Sequence, residues 1–408
     1  MSAAKATSTS SSVTLKWHDP KKGTYNGVMI RRAKGASAPA SAKSGTLIAK
    51  VSAPRVTFTD TSVAASTKYS YALFAYKGSS DAKAVKVSIT TAAAAPNLVP
   101  YQILDGSTYG FSVPAGVADD GANVWVTNAA GNSVTEINQS TGASEAVLVD
   151  PSYGFNEPVA IANDGTDLWV ANGMGNTITE INESTGALVQ VLSSSVYEFD
   201  TPIAIASDGT HLWVANAKGN SVTEINESTG ALVAVLSDAS FGFNNPEAID
   251  ADSTNVWVAN LTSGTVTEIN ESTGALVAVL SDANYQFYGP STIATDGTDV
   301  WVGNAGGNSV TEINESTGAL VQVLSGASYG FNNPIAAVAF EGSIYILNYR
   351  GNSVTVLNGT TGDLVLVLSD TAYGFSAPIA VAARGATVWV ANSTGNAMTM
   401  LTVITVVS

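Results

Sequence analysis

A repeat of 44 residues runs through the last three quarters of this chain and limits its fold more than any other feature. The repeat marker is an aromatic residue in a short apolar segment, and successive markers lie 44 residues apart: Trp125, Trp169, Trp213, Trp257, Trp301, Tyr345 and Trp389. Fixed periods of 20 to 50 residues are typical of solenoids, rings and arrays, in which each unit buries its apolar surface against its neighbours.

Each copy of the repeat predicts four short β-strands. In the copy that begins at Pro158, the segments PVAIA, DLWVAN, TITEIN and ALVQVLS are separated by DG, GMGN and ESTG. Glycine supplies the positive φ that tight turns need, and segments apolar on both faces suit sheets covered on both sides. Four-stranded units of about 40 to 45 residues are typical of propeller blades. We therefore predict an all-β chain in which residues 97–408 form a seven-bladed β-propeller.

The two ends of the repeat region predict how the ring closes. The last copy stops at Ser408 before its ESTG turn and fourth strand, whereas six repeats before Leu364–Leu368 lies an apolar segment at residues 100–104. We therefore predict that residues 97–104 supply the missing strand of the last blade, which leaves no bare edge. The final segment MTMLTVITVVS could instead be a membrane or sorting tail, but it is too short to span a bilayer.

Residues 1–93 predict a separate β-sandwich, joined to the propeller by a linker at residues 94–96. Strand segments such as VTLKW, TLIAKV and KYSYALFAYK alternate with loops rich in Pro, Gly, Ser and Ala. Their order resembles the fibronectin type III family. Trp17 stands where that family has its core tryptophan, and residues 67–71 resemble its tyrosine corner. The resemblance implies that Tyr69 hydrogen-bonds to the loop before it.

Charge is divided unequally along the chain. The residues before Leu98 hold 14 of the 17 Lys and Arg and 3 of the 33 Asp and Glu, a net charge of +11, whereas the remaining 3 basic and 30 acidic residues give the propeller −27. An acidic body repels phosphate backbones, so we expect no nucleic acid partner for the propeller. The charge difference predicts a homotypic contact between the basic N-terminal domain of one copy and the acidic propeller of another.

The composition of the chain limits which catalytic or metal-binding groups it can use and indicates where in or outside the cell it acts. The chain has no cysteine and only two histidines, His18 and His211, so disulfides and thiolate chemistry are excluded. Abundant Gly, Ser, Thr and Asn are typical of β-rich extracellular bacterial proteins. No segment is long and apolar enough for membrane insertion, and the first residues lack the apolar core of a signal peptide. We expect a secreted or cell-surface protein whose signal peptide has been removed.

The segments WVAN, NSVTEIN and STG resemble the NHL and YVTN classes of bacterial propellers, and the same pattern is similar to the streptogramin (virginiamycin B) lyase family. The lyases hold a magnesium ion with a histidine and acidic residues on one face of the ring. Here the only propeller histidine is His211, expected as an ordinary turn residue on the opposite face. We therefore expect neither a cofactor nor a metal, and a metal-dependent lyase or hydrolase is the alternative function.

Two sets of carboxylates recur in the repeats, and we expect both to serve the fold rather than catalysis or metal binding. The third-strand glutamates are expected on a solvated outer strand rather than as a catalytic pair: Glu136, Glu180, Glu224, Glu268 and Glu312. The aspartates of the first turn are explained by turn chemistry rather than by calcium binding: Asp120, Asp164, Asp208, Asp252 and Asp296. The innermost strands are expected to offer Ala, Val and Ile to the central channel, without a ring of acids or bases.

Candidate binding residues lie on the face that carries the loops between the second and third strands. An aromatic pair precedes each blade and either packs between blades or exposes one ring for stacking on sugars; Tyr153, Tyr329 and Tyr373 are the candidates among these. The loops themselves differ from copy to copy, and variable chemistry on a constant frame is where a ligand would be recognised. The loop candidates are Met174, Lys218, Tyr349 and Arg350.

These features predict a non-catalytic binding or structural protein that acts by multivalent contact. The propeller face would recognise glycans or envelope and surface proteins, as in adhesion, and the N-terminal sandwich would serve as spacer or attachment. A sensor or scaffold role within a larger surface assembly is not distinguished from this function by the sequence.

Overall fold

A computed structural model describes residues 3–8, 12–18, 25–64, 67–78, 80–91 and 97–404. The chain forms two compact units, one built mainly from the first 97 residues and the other from Leu98–Ile404. Both units are β-structures, and the described helices are single 3-10 turns. In this part of the chain no helix has the length and apolarity needed to cross a membrane.

The first unit is a sandwich of two antiparallel sheets. Its strands are β1 (Ala4–Ser8), β2 (Val13–Trp17), β3 (Gly27–Lys34), β4 (Thr46–Ser52), β5 (Thr57–Asp60), β6 (Lys68–Lys77), β7 (Ser80–Asp81) and β8 (Val85–Thr90). One sheet has the order β1-β2-β5, and the other has the order β4-β3-β6 with β7 and β8 both paired to β6. Leu15 and Trp17 of the first sheet pack against Ile30, Tyr71 and Leu73 of the second.

A tyrosine fixes the loop before β6 in this sandwich. The backbone N–H of Ala64 donates to Tyr69 Oη at 2.9 Å, which is the hydrogen bond that the tyrosine-corner resemblance implies. Tyr69 is 1% exposed, so its hydroxyl needs a partner inside the protein. The contact ties the loop to the second sheet.

The second unit contains seven four-stranded antiparallel sheets, which we number in chain order. Sheets 1 to 3 comprise β10 (Pro114–Asp119), β11 (Asn123–Asn128), β12 (Ser133–Asn138), β13 (Ser144–Leu148); β14 (Pro158–Asn163), β15 (Asp167–Asn172), β16 (Thr177–Asn182), β17 (Leu188–Leu192); and β18 (Pro202–Ser207), β19 (His211–Asn216), β20 (Ser221–Asn226), β21 (Leu232–Leu236). Sheets 4 and 5 comprise β22 (Pro246–Ala251), β23 (Asn255–Asn260), β24 (Thr265–Asn270), β25 (Leu276–Leu280); and β26 (Pro290–Thr295), β27 (Asp299–Asn304), β28 (Ser309–Asn314), β29 (Leu320–Leu324).

Sheets 6 and 7 complete the unit. They comprise β30 (Pro334–Phe340), β31 (Ser343–Asn348), β32 (Ser353–Asn358), β33 (Leu364–Leu368); and β34 (Pro378–Arg384), β35 (Thr387–Asn392), β36 (Ala397–Ile404) and β9 (Asn97–Leu104). The segment MTMLTVI therefore belongs to a strand, and β9 completes sheet 7 as the repeat spacing predicts. Residues 405–408 lie outside the described residues.

The sheets follow one another around a closed ring. Each innermost strand contacts the innermost strand of the next sheet, and β34 of sheet 7 contacts β10 of sheet 1. The second strands are buried on both faces because neighbouring sheets cover them on both sides. Trp125 of sheet 1, for example, packs with Leu168 and Ile181 of sheet 2. This is the layout of a β-propeller.

Candidate functional site

Two opposite ends of the sheets carry the connections. We call the end with the second-to-third-strand loops and the segments between sheets the loop face, and the end with the DG and ESTG turns the turn face. On the loop face, Met174, Lys218 and Arg350 are exposed and Tyr349 is half-buried. They belong to the loops of sheets 2, 3 and 6, so Tyr349 and Arg350 form the only adjacent pair among the four candidates.

The aromatic pairs pack between sheets. Tyr153 and Phe155 stack with their ring centroids 5.1 Å apart, and both rings join the core shared by sheets 1 and 2. Tyr329 stacks on Phe331 at 5.2 Å and Tyr373 on Phe375 at 5.5 Å. All three tyrosines are half-buried. This geometry supports the packing alternative, and a role of these tyrosines in ligand binding stays a prediction.

An asparagine that recurs in six of the seven loops joins neighbouring sheets, and the loop of sheet 4 has Gly264 at this position. Asn176 Oδ1 accepts a hydrogen bond at 2.8 Å from the backbone N–H of Thr201, which lies just before sheet 3. Asn132, Asn220, Asn308 and Asn352 make the same bond, and Asn396 makes it to Val113 before sheet 1. Asparagine tolerates the left-handed φ of 46–51° found at these six positions. The constant part of the loop is therefore structural.

A second repeated network lies inside each sheet. Asn216 is fully buried and donates through Nδ2 to Thr223 Oγ1 at 2.9 Å, and Thr223 Oγ1 donates to the carbonyl of Tyr197 at 2.9 Å. Equivalent bonds occur in all seven sheets. They fix the aromatic segment on the third strand, so the asparagine of the WVAN motif serves the fold.

On the turn face, the aspartate of each DG turn has two roles. Asp208 Oδ1 accepts from the backbone N–H groups of Thr210 and His211, as turn chemistry predicts, and its Oδ2 accepts from Trp213 Nε1 at 2.8 Å. Sheets 1 to 5 share the bond to tryptophan at 2.7–2.9 Å. Sequence analysis missed this second role, although the five-residue spacing from Asp to Trp recurs in five copies.

The prediction that the third-strand glutamates are solvated is wrong for four of them. Glu180, Glu224, Glu268 and Glu312 are only 2–6% exposed. The STG turn of the following sheet covers them: a methyl group added to Gly274 would lie 3.2 Å from Glu224 Oε2. Burial raises the pKa of each of these carboxyl groups. They lie at the junctions between sheets.

His211 is not an ordinary exposed turn residue. Its side chain is 22% exposed and lies between two carboxylates, with Nδ1 at 3.5 Å from Asp208 Oδ2 and Nε2 at 3.8 Å from Glu224 Oε1. Glu271 of sheet 4 also lies near His211, so the imidazole occupies an acidic junction between sheets 3 and 4. Among the described residues, no group of three or more His, Asp or Glu side chains is arranged to hold a metal ion.

An acidic cleft opens on the turn face between sheets 2 and 3, and we call it cleft 2/3. Its volume is about 440 Å³, and its lining includes Asp164, Asp167 and Glu180 of sheet 2 and Glu227 of sheet 3. Burial, followed by the charges of Asp164 and Asp208, raises the pKa of Glu227 to about 7. The four carboxyl groups come from two repeats, so no single repeat shows the cluster.

The innermost strands are mostly apolar, but sheet 5 carries Ser291 and Thr292 and sheet 4 carries two acidic residues. β22 carries Glu247 and Asp250 where other sheets have small or aliphatic residues. Asp250 accepts hydrogen bonds from the N–H and Oγ1 of Thr295 in sheet 5, and burial raises its pKa to about 6. The sequence prediction of an aliphatic inner lining is wrong for this sheet, where Asp250 joins two neighbouring sheets.

Comparison with known proteins supports the fold. No protein-family model and no curated protein matches the chain. Hydrazine synthase of Kuenenia stuttgartiensis is 17% identical, with a TM-score of 0.58 over 72% of this chain and 97% of that chain. A streptogramin B lyase is 16% identical, with a TM-score of 0.59 over 76% and 98%. The WD40 β-propeller domain of Doa1 is 11% identical, with a TM-score of 0.60 over 75% and 97%. At these identities the likeness shows a β-propeller fold alone.

Proposed function

We propose that this chain is a non-catalytic secreted or cell-surface binding protein that recognises a glycan or an envelope protein through the loop face. The observation that carries the proposal is the contrast within each loop. The asparagine that joins neighbouring sheets is nearly constant, whereas the positions before it vary and expose Met174, Lys218 and Arg350. A fixed frame with variable exposed side chains suits recognition.

The proposal includes a finer assignment of the two units. The second unit is a seven-bladed propeller of the NHL or YVTN type. Seven repeats of 44 residues support this assignment, because the innermost strand of each sheet contacts that of the next sheet around the ring. The first unit is a fibronectin type III-like spacer or attachment domain. Its strand order, the buried Trp17 and the Tyr69 hydrogen bond support that assignment.

Replacing Tyr349 and Arg350 together by alanine is expected to reduce ligand binding at least tenfold. An adjacent aromatic and guanidinium pair is the composition that dominates many interfaces, and a tenfold loss corresponds to about 1.4 kcal/mol. A glycan array and a pull-down from envelope extract would measure the loss. Thr394→Ala, at the position of Arg350 in the loop of sheet 7, is the matched control. Equal binding by the double variant and the unaltered chain would remove these two residues from the site.

A homotypic contact is the second candidate function, favoured by the charge difference between the units. The first 97 residues carry +11 and the remainder −27, and Lys34, Lys50 and Lys86 are among the exposed basic side chains of the first unit. Oppositely charged surfaces attract most strongly at low ionic strength.

We expect the chain to self-associate at low salt and to dissociate as salt is added. Light scattering at about 20 mM and about 500 mM salt would report a mass above 41.6 kDa in the first case and the monomer mass in the second. Reversing the charges of Lys34, Lys50 and Lys86 to glutamate should abolish the low-salt species. A mass that does not change with salt would contradict the homotypic contact.

A further inference from the structure

Cleft 2/3 contains an acidic side chain, Glu227, that is hydrogen-bonded to Ser207 but has one oxygen without a hydrogen-bond partner in the described part of the chain. Glu227 is 8% exposed, and its Oε1 accepts no hydrogen bond from any residue in the described ranges. None of the other residues that line the cleft is basic, and three of them, Asp164, Asp167 and Glu180, are acidic. A buried carboxylate oxygen without a donor is costly, so a donor placed in the cleft would stabilise it.

Two other junctions of the same ring supply such a donor from their own sequence. His211 stands 44 residues after Asp167, at the same position of the repeat, and lies between Asp208 and Glu224. Arg384 stands 220 residues after Asp164, again at the same position. Its guanidinium donates to the backbone carbonyl of Asp119 at 3.2 Å, and its charge opposes the burial that raises the pKa of Asp119.

The repeat therefore provides an internal comparison. Equivalent junctions accommodate an imidazole or a guanidinium group, whereas cleft 2/3 has carboxylates at both positions, Asp164 and Asp167. We propose that cleft 2/3 binds an organic cation with N–H donors, namely an alkylammonium or guanidinium group. The carboxylates are not arranged as metal ligands, and a volume of about 440 Å³ accommodates a group of several non-hydrogen atoms.

The cation has two possible sources that share this chemistry. It is either a free amine or the lysine or arginine side chain of another chain, including the basic first unit of a second copy. The site lies on the turn face, opposite Tyr349 and Arg350, so this proposal and the loop-face proposal can fail separately.

The site is tested by calorimetric titration of the full chain with 1,5-diaminopentane and with methylguanidinium at low ionic strength. We expect Glu227→Gln and Asp167→His each to remove one binding equivalent or to weaken it at least tenfold. The first variant removes the carboxylate charge that has an unpartnered oxygen, and the second supplies the imidazole that the next junction already has. His211→Asp is expected to add one equivalent, because it converts the junction of sheets 3 and 4 into a copy of cleft 2/3.

Glu183→Gln is the matched control, since Glu183 occupies the position of Glu227 in sheet 2 but is less buried, accepts a hydrogen bond from Asn163 at 2.6 Å and has no buried oxygen without a partner among the described residues. It should leave binding unchanged. Thermal unfolding of all four variants would show that each folds. Equal binding by Glu227→Gln, Asp167→His and the unaltered chain would overturn the site. Competition by equimolar calcium would overturn the assignment to an organic cation.

Proton release supplies a second readout. The charged groups around Glu227 are Asp164, Asp167 and Glu180 across the cleft and Asp208 and His211 on its own sheet. A bound cation favours the ionised carboxylate and lowers its pKa, so binding near pH 6.5 should release a proton and affinity should rise as the pH passes through 7. Titrations in buffers of different ionisation enthalpy measure this release. Its persistence in Glu227→Gln would contradict the assignment.

The source of the cation is decided by adding the diamine to the chain at low salt. Loss of self-association would identify the basic side chains of a second copy as the natural occupant. An unchanged mass, together with calorimetric binding, would identify a free amine. Both outcomes support the site, whereas the absence of calorimetric binding overturns it even if the chain self-associates.

Discussion

Replacing Trp213 by alanine is expected to lower the free energy of unfolding of the ring by about 3–5 kcal/mol. Trp213 is fully buried, and its core contains Val222 of sheet 3 together with Val256 and Val258 of sheet 4. The cavity would therefore weaken two sheets and the junction between them. Urea denaturation followed by circular dichroism measures the loss, and a value below about 1 kcal/mol would contradict the packing described above.

A matched pair of tryptophans separates packing from hydrogen bonding. Trp213 Nε1 donates to Asp208, whereas the buried Nε1 of Trp389 has no partner in the described part of the chain because Arg384 replaces the aspartate. Trp213→Phe should therefore cost about 1–3 kcal/mol more than Trp389→Phe, since only the first leaves an acceptor without its donor. Equal costs would show that the bond to aspartate contributes nothing.

The elements that the sequence predicts are those that depend on local pattern. The segment DLWVAN is a strand buried on both faces, and Ser184–Gly186 lies in a turn, because apolar runs and glycine turns act within a few residues. The fixed spacing of the repeat alone predicts strand β9. Because the ring is closed and its repeats have equal length, the spacing predicts the pairing of β9 with a strand about 300 residues later, roughly the length of the whole ring.

The features that the sequence did not predict depend on neighbouring repeats. Glu224 lies on a third strand that looks solvated within its own sheet, but the turn that holds Gly274 covers it from the next sheet. Cleft 2/3 likewise combines Glu180 with Glu227, which occupy different positions in successive repeats. The alternation of residues within one repeat predicts which face of a strand is buried in its own sheet. It does not predict which residues of the next sheet cover that strand.

Closure of the ring is expected to depend on β9. Leu104 is 1% exposed and packs with Trp389 and Met398 of sheet 7 and Val124 of sheet 1, so it lies where the two ends of the ring meet. Leu104→Ala should cost about 2–5 kcal/mol. Its neighbour Ile103 is 39% exposed, and Ile103→Ala should cost far less. Urea denaturation of the two variants tests whether burial at the closure, rather than mere proximity to it, stabilises the ring.

Truncation tests the same closure by a larger change. Removing residues 1–104 should destabilise the ring much more than removing residues 1–96, because only the longer deletion takes away β9. Without β9, strand β36 becomes an unpaired edge and the core around Trp389 opens to water. Exposed edges promote association between chains, so the longer deletion should also aggregate in light scattering. Equal thermal stability of the two truncated chains would mean that sheet 7 is stable with three strands and that the ring does not need β9.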